Sequence, residues 1–451
     1  MDLAICTSPC SLVCPSHLSA AKAEQLNRTL CHRERSSGFA SAKKLFIYAL
    51  HTHFFQILKA LNFGVIGADR RGRISLEAHR PLEGTRVIAV CSLTPERLGI
   101  YQEQCGQDVL LTADYREVLA MPQVDAVFVC SPDHLHEAHA IAAMRAGKDV
   151  FLEKPMAITI SGCDRILQCS EDTGRKLYVG HNMRFFPVML TMKRLIEEGA
   201  IGEVQAIWCR HFISYGGDAY FRDWHSEQRY SNSLLLQKGA HDIDIIHWLA
   251  GSTTSAVSGM GKLSVYNHLP RRRPEDPQPN VEFNRENWPP SATAQYSPDI
   301  DVEDHSMLLM QLENGVQASY LQCHYTPDDH RNYTVIGTAG RIENFGDYPS
   351  EECEASVHLW NRRTGYSSEG HEVFPIAYVE GSHGGSDPKL IADFVQFLRS
   401  GTSTGAKPID ARNAVAVGCC GTESLRQGGG LLRIPPPARI DTSDCLAPVS
   451  G

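Results

Sequence analysis

Between residues 61 and 155, short apolar runs alternate with mixed polar segments, the pattern of strands separated by helices. Asn62–Gly67, Arg86–Cys91, Val124–Cys130 and Asp149–Leu152 are almost continuously apolar, as strands of a parallel sheet covered on both faces are. The intervening stretches predict helices over Ile74–His79, Thr94–Cys105, Tyr115–Ala120 and His136–Ala146. Thr94, before Pro95-Glu96, suits an N-cap, and Gly147 suits a helix stop. Such alternation implies βαβ units.

From about His181 the pattern changes. Val188–Glu198 reads as an amphipathic helix closed by Gly199, Val204–Phe212 alternates as a strand, and Asp242–Leu249 reads as a helix. Strands follow at Ser306–Leu312, Val316–His324, Tyr333–Gly337, Arg341–Phe345 and His358–Trp360. Leu269–Pro298, full of Pro, Asn, Arg and Glu, reads as an exposed loop. Helices at Lys389–Arg399 and Ala411–Leu425 close the fold, and the tail from Pro435 is expected to fray. The expected class is α/β: an N-terminal Rossmann, doubly wound parallel sheet, plus a C-terminal α+β domain with a large, mostly antiparallel open sheet. The domains would be residues 61–181 for the nucleotide and 182–435 for substrate and assembly. Residues 436–451 would be a flexible tail.

Residues 1–60 differ from the remainder: seven Lys/Arg stand against three acids, and periodicity is weak. They read either as a mitochondrial transit peptide or as a poorly structured extension ending in a short amphipathic helix at Lys43–Leu61.

Composition narrows the function classes. A chain of 451 residues has room for two or three domains. Its net charge of −9 argues against binding driven by nucleic-acid phosphates. No apolar run approaches the roughly 18 residues of a membrane-spanning helix. The 15 cysteines fall mostly singly within apolar stretches, without CxxC pairs, so neither a metal site nor a disulfide framework is expected and a cytoplasmic, reducing setting fits. The four-residue spacing of Cys6, Cys10 and Cys14 is read as chance.

Gly64–Gly72 lies between a strand and a helix, where a G-x-G-x-x-G dinucleotide fingerprint belongs. Gly67 and Gly72 match, with Ala68 between, but Asp69 stands where the second glycine is expected. Arg70, Arg71 and Arg73 could offset its charge. The second strand ends at Ser92 rather than at an acid that would hold an NAD ribose. With Arg97 a turn on, this leaves NAD or NADP open. Hydride transfer from an alcohol needs a base and a positive group beside the developing alkoxide, and Lys154, at a strand's C-terminal end, suits both. His241, Asp244 and His247 are spaced by three at what reads as a helix start. His134, His136 and His139 suit capping and cofactor contact. Asn182 and Arg184 could order substrate or cofactor. The aromatic and polar stretch Gly216–His225 suits either sugar recognition or a packed loop. His324 and Tyr325 could line a pocket.

Together, Gly64–Gly72, Val129-Cys130-Ser131-Pro132-Asp133-His134-Leu135-His136 and Phe151-Leu152-Glu153-Lys154-Pro155 resemble the Gfo/Idh/MocA oxidoreductases. Gly180-His181-Asn182-Met183-Arg184-Phe185 and Gly239-Ala240-His241-Asp242-Ile243-Asp244 extend the resemblance across about residues 62–435. The resemblance implies NAD(P)-linked redox chemistry on a sugar, polyol or similar small molecule, and a C-terminal sheet that pairs copies of the chain. It implies that Lys154 is the active-site lysine, with Glu153 and Pro155 shaping its turn and Pro155 following a cis bond. His241 would be the general base or its partner. Asp244 is retained as a substrate-side residue. Ser131, Pro132 and His136 would border the nicotinamide. Gln237 stands where many relatives carry Asp, so His241 and Lys154 would work without that carboxylate. Two further readings use the same fold: redox-neutral, glycosidase- or lyase-type chemistry, and a non-catalytic nucleotide- or sugar-binding regulator.

Overall fold

The computed structural model describes residues 60–438, apart from 278, 280–282, 348 and 350–352. The expected extension over 1–60 with its helix at 43–61, and most of the tail, lie outside the described residues. Leu61, assigned to that helix, instead opens the first strand.

Six strands form a parallel sheet: β1 (Leu61–Ile66), β2 (Thr85–Cys91), β3 (Leu110–Thr112), β4 (Ala126–Val129), β5 (Asp149–Leu152) and β6 (Leu177–Val179). Their order is β3-β2-β1-β4-β5-β6, so the winding reverses between β1 and β4. In such sheets that crevice, beyond the strands' C-terminal ends, is where ligands bind. The register pairs Ile66 with Val129 and Val129 with Leu152. The segments after β1, β4 and β5 therefore leave the sheet at one level, and they carry Gly67, Ser131 and Lys154.

The second sheet has nine strands: β7 (Val204–Phe212), β8 (Thr254–Lys262), β9 (His305–Leu312), β10 (Gln317–Cys323), β11 (His330–Gly337), β12 (Arg341–Phe345), β13 (Ala355–Trp360), β14 (Glu372–Ile376) and β15 (Leu432–Arg433). Their order is β14-β13-β12-β11-β7-β10-β9-β8-β15, antiparallel except where β7 meets β10. One face packs on the helices Pro187–Glu197, Leu234–Ala250 and Pro408–Arg426 through Met189, Met192, Ile246, Tyr333 and Val417. The helix Ser382–Ser400 returns to the first sheet. There Phe394 meets the rings of Phe63, Phe128, Phe151 and Tyr178 at centroid distances between 5.3 and 6.1 Å.

Several elements depart from the sequence reading. The first crossover is a 3₁₀ helix from Arg70 to Ala78, not a helix from Ile74, because the Asp69 carboxylate caps the turn itself by accepting from the Arg70 N–H. Thr94 does not cap a long helix. Its hydroxyl bonds Ser92, a 3₁₀ turn covers Pro95–Arg97, and the α-helix starts at Gly99. The helix expected at Asp242 begins two turns earlier, at Leu234, capped by the Ser233 hydroxyl. His241 thus lies mid-helix. The Leu269–Pro298 loop is anchored rather than free: Tyr296 and Ser297 are buried, and Asn284 and Asn287 bond Asp218. The start of the tail is held as well, because buried Arg412 donates to the carbonyls of Pro435 and Pro436.

Candidate functional site

The site is built on three strand ends and one helix. After β1, Gly67 has φ +81°, and a Cβ there would lie 2.5 Å from backbone atoms of Cys130 and Ser131. At Gly72 a Cβ would lie 2.1 Å from the Gly67 carbonyl. Only glycine allows this close turn. Ala68 is buried beneath it. Asp69 needs no glycine conformation, with φ −82°, but its carboxylate occupies the helix start, where a phosphate would otherwise sit. Arg97 answers that charge at 2.8 Å. Burial opposes ionisation of Asp69, yet the hydrogen bonds from Arg97 and Arg70 hold its carboxyl below the usual range. The turn, its place at the winding reversal and the Asp69–Arg97 pair together fit a dinucleotide, with one anion already countered.

Arg71 does not serve the turn as expected. It donates to Glu153 at 2.7 Å and to Asp387 at 2.6 Å, tying β5 to the helix that returns from the C-terminal region. Asn182 donates to the same Asp387 at 2.9 Å. Arg70 reaches Asp223 at 3.3 Å in the loop after β7. Ser92 is buried at the end of β2, its hydroxyl bonded to Thr94.

After β4, the loop Ser131-Pro132 is pinned by His136. One ring nitrogen lies 2.8 Å from the Ser131 carbonyl and the other 2.7 Å from the Pro155 carbonyl. His139 meets the Ser131 hydroxyl at 2.9 Å. His134 packs against Tyr230 instead.

After β5, the Lys154–Pro155 bond is cis. The half-buried Lys154 ammonium donates to the Gln237 carbonyl at 3.1 Å. Burial and the nearby Lys238 push it down to about 8, against the pull of Asp133 and Glu153. His241 lies one turn beyond Gln237 on the same helix, with Nδ1 buried and unpartnered. Burial, then Lys154 and His181, hold its imidazole well below the ordinary value, so it is neutral. The Gln237 Oε1 is also buried without a partner. A lysine that titrates near neutrality, beside a neutral imidazole, can pass a proton to or from a bound hydroxyl.

Four expected substrate residues turn away from this cluster. Arg184 makes a two-pronged bond to Asp244, at 2.8 and 2.6 Å, and a further ion pair with Asp410 at 3.2 Å. Asp244 also lies 3.5 Å from His181. These groups, with Asn182, brace helices behind the site. His324 is fully buried behind Tyr220 and Phe221, with both ring nitrogens unpartnered, so it backs the wall rather than facing a ligand.

Sequence reasoning missed Lys238 and the group beneath it. Lys238 donates to the Tyr215 hydroxyl at 2.9 Å and lies 5.2 and 5.3 Å from the ring centroids of Tyr215 and Tyr220. Asp242, fully buried, pairs with Arg331 at 3.1 Å and with His211 at 3.1 Å, and accepts from Tyr333. The available signal was position: Lys238 directly precedes the Gly-x-His element that carries His241.

Residues 61–181 match the family described as "Oxidoreductase family, NAD-binding Rossmann fold", and residues 189–343 match the "GFO/IDH/MocA C-terminal domain". The putative oxidoreductase YteT of Bacillus subtilis is 25% identical over 355 residues, spanning 71% of this chain and 81% of its own length. The inositol 2-dehydrogenase/D-chiro-inositol 3-dehydrogenase of Halalkalibacterium halodurans is 32% identical over 200 residues, 44% of this chain. That alignment spans 55% of the enzyme's length. Among solved structures, a levoglucosan dehydrogenase in complex with NADH and levoglucosan superposes with a TM-score of 0.68 at 21% identity, covering 84% of this chain and 100% of that one. The aldose-aldose oxidoreductase of Caulobacter crescentus gives 0.64 at 20% identity, covering 83% and 100%. With the two domains matched in order and the glycine turn and lysine at adjoining strand ends, the chain belongs to the Gfo/Idh/MocA family of oxidoreductases.

Proposed function

We propose that this protein is an NAD(P)-dependent dehydrogenase acting on the CH–OH group of a sugar, polyol or similar small molecule. The observation that carries the reading is Lys154: half-buried at the C-terminal end of β5, bonded to a carbonyl rather than a carboxylate, and held near 8. When bound, the nicotinamide cofactor supplies the hydride acceptor or donor. Gly67, Ala68 and Gly72 would cradle its phosphates, with Asp69 and Arg97 setting the local charge. The Ser131-Pro132 loop, held by His136, would border the ring. In the oxidation direction, neutral Lys154 takes the substrate hydroxyl proton; in reduction, its ammonium returns one. His241 orients the same hydroxyl, and Gln237 contributes an amide where no proton can be stored.

The relatives named for inositol and levoglucosan support a polyhydroxylated substrate. The test pairs a fluorescence titration with NADH and NADPH with an assay of nicotinamide reduction over a panel of sugars and polyols. Binding of neither nucleotide would sink the proposal, and binding with reduction by at least one polyol would sustain it.

Assembly belongs to the same reading. Met260, Met307, Leu309 and Trp208 are exposed on the outer face of the nine-stranded sheet, where Met260 pairs with Met307, and Ser319 bridges Leu309 and Trp208 in register. A contiguous apolar sheet face of this kind favours a homo-oligomer. No helix among the described residues is long and apolar enough to cross a membrane. Cys91, Cys163, Cys209 and Cys420 are buried thiols outside any disulfide, and a cytoplasmic setting accords with that.

A further inference from the structure

We infer that Lys238 and Tyr215 form a carboxylate subsite beside Lys154, and that the substrate is a polyhydroxylated acid: a sugar or polyol bearing one carboxylate. The inference rests on the dehydrogenase reading and names its substrate class.

The first support is the charge inventory. Among the described residues, neither Lys154 nor Lys238 makes an ion pair: one donates to the Gln237 carbonyl, the other to the Tyr215 hydroxyl. The neighbouring carboxylates are engaged elsewhere. Glu153 holds Arg71, Asp242 holds Arg331 and His211, Asp223 holds His225 and Arg70, and Asp218 holds Arg222. Asp133 is buried, and that burial raises its pKa; its Oδ2 makes no hydrogen bond and no ion pair among the described residues. Gln237, which precedes Lys238 on the helix, carries an amide rather than a carboxylate, and its Oε1 is buried without a partner. Lys154 and Lys238 therefore share a partly desolvated space without an ion-pair partner among the described residues, an arrangement that an incoming anion relieves.

The second support is shape. Lys154, Lys238 and His241 are each half-buried, so the cluster opens towards solvent. The Tyr215 hydroxyl accepts from Lys238 and keeps its own O–H to donate; burial pushes its pKa up to about 12, so the proton stays. One ammonium N–H and one phenolic O–H give two donors to two oxygens, the requirement of a carboxylate. A phosphate dianion calls for an arginine fork or a nest of backbone N–H groups, and Arg331 is already paired with Asp242 and Asp347. Burial and Arg331 push Lys238 down to about 7, against Asp242, Asp347 and Asp329, as for an ammonium that lacks its partner.

The test compares matched acid and neutral substrates: glucuronate against glucose, and galacturonate against galactose. Rates are read by nicotinamide reduction, and binding to the nucleotide-loaded protein by calorimetry. We expect the acid of at least one pair to be preferred tenfold or more in kcat/KM or in affinity. Lys238→Met should lower that preference ratio about ten- to a hundredfold, and Lys238→Arg should restore most of it. A general packing defect would not produce this pattern. Equal or better binding of the neutral sugars, or an unchanged ratio in Lys238→Met, overturns the inference. So does failure of every acid to bind. Acid binding that depends on Lys238 without turnover would sustain the subsite while sinking the dehydrogenase reading.

Discussion

Glu153 and Lys154 are adjacent in the chain and have opposite electrostatic settings. Glu153 is buried in a closed circuit with Arg71 and Asp387, which Asn182, Ser382 and His383 complete. Behind it, Asp244 and Arg184 form a second closed pair. In both, each carboxylate meets a guanidinium and accepts further hydrogen bonds or lies against a histidine, as stable buried ions require. One residue on, Lys154 faces Lys238 and a neutral His241 with no matched acid. The matched circuits fix the scaffold. The unmatched cluster keeps groups near their titration points, which proton transfer at neutral pH needs.

The comparison breaks most visibly at its two poles. Lys154→Met should reduce turnover by about 10²–10⁴-fold, the usual worth of a general acid–base group, while NADH binding stays within a few-fold of normal. Retained turnover would mean that the unmatched lysine is not chemical. Asp244→Ala should act on the other pole. It leaves the buried Arg184 guanidinium with only half-exposed Asp410, and removing one partner of a buried pair destabilises by roughly 3–5 kcal/mol, here at the lower end. The shift of the urea midpoint measures it, and a change below about 1 kcal/mol would show the circuit to be dispensable. The sign with pH is fixed as well. Burial opposes charge on Asp244, but His181 and Arg184 lower its folded pKa below the unfolded value near 3.9. Its stabilising effect is therefore full at neutral pH and is lost as pH falls below about 4 through the folded pKa.

A subtler probe is the pH profile. If neutral Lys154 is the base, oxidation should rise about tenfold per pH unit below about 8 and level off above it. Because the Lys238 charge holds Lys154 down, Lys238→Met should move that inflection to higher pH. A profile unmoved by this change would uncouple the two lysines.

The sequence displays the scaffold better than the circuits. Tyr115–Ala120, Asp149–Leu152, Val204–Phe212 and Arg341–Phe345 have the bounds their patterns predict, because short apolar runs and alternation report burial directly. The start of the helix Leu234–Ala250 was hidden because Leu234, Leu235 and Leu236 are all buried, leaving no amphipathic period, and Gly239 interrupts the run. Arg71 and Asp387 are 316 positions apart, and no local pattern joins them. Thus Lys154 could be singled out by its place at a strand end, whereas Arg184 and Asp244, equally polar, could not be assigned to bracing rather than binding without their partners. Lys238 was invisible for the converse reason: an isolated lysine in sequence reads as solvated surface, and only the packing of Tyr215 and Tyr220 around it says otherwise.

The smallest expected effect tests the boundary between the two regimes, at Asp69. Its carboxylate both caps the 3₁₀ helix and holds Arg97, so it is matched like the scaffold circuits, yet it stands where a nucleotide phosphate would approach. Asp69→Gly removes a like charge from a helix start, worth about 0.3–1 kcal/mol, and takes away the carboxylate that Arg97 meets at 2.8 Å. If the pair is a counterweight to be displaced, NADH should bind two- to fivefold tighter and NADPH should gain more, since a guanidinium no longer bonded to Asp69 can meet its extra phosphate. If the cap instead holds the turn in shape, both nucleotides should weaken together. Paired titrations of the two nucleotides with Asp69→Gly and Arg97→Ala separate the cases: loss of the NADPH gain in the double variant assigns it to Arg97, and its persistence assigns it to the charge removed at Asp69.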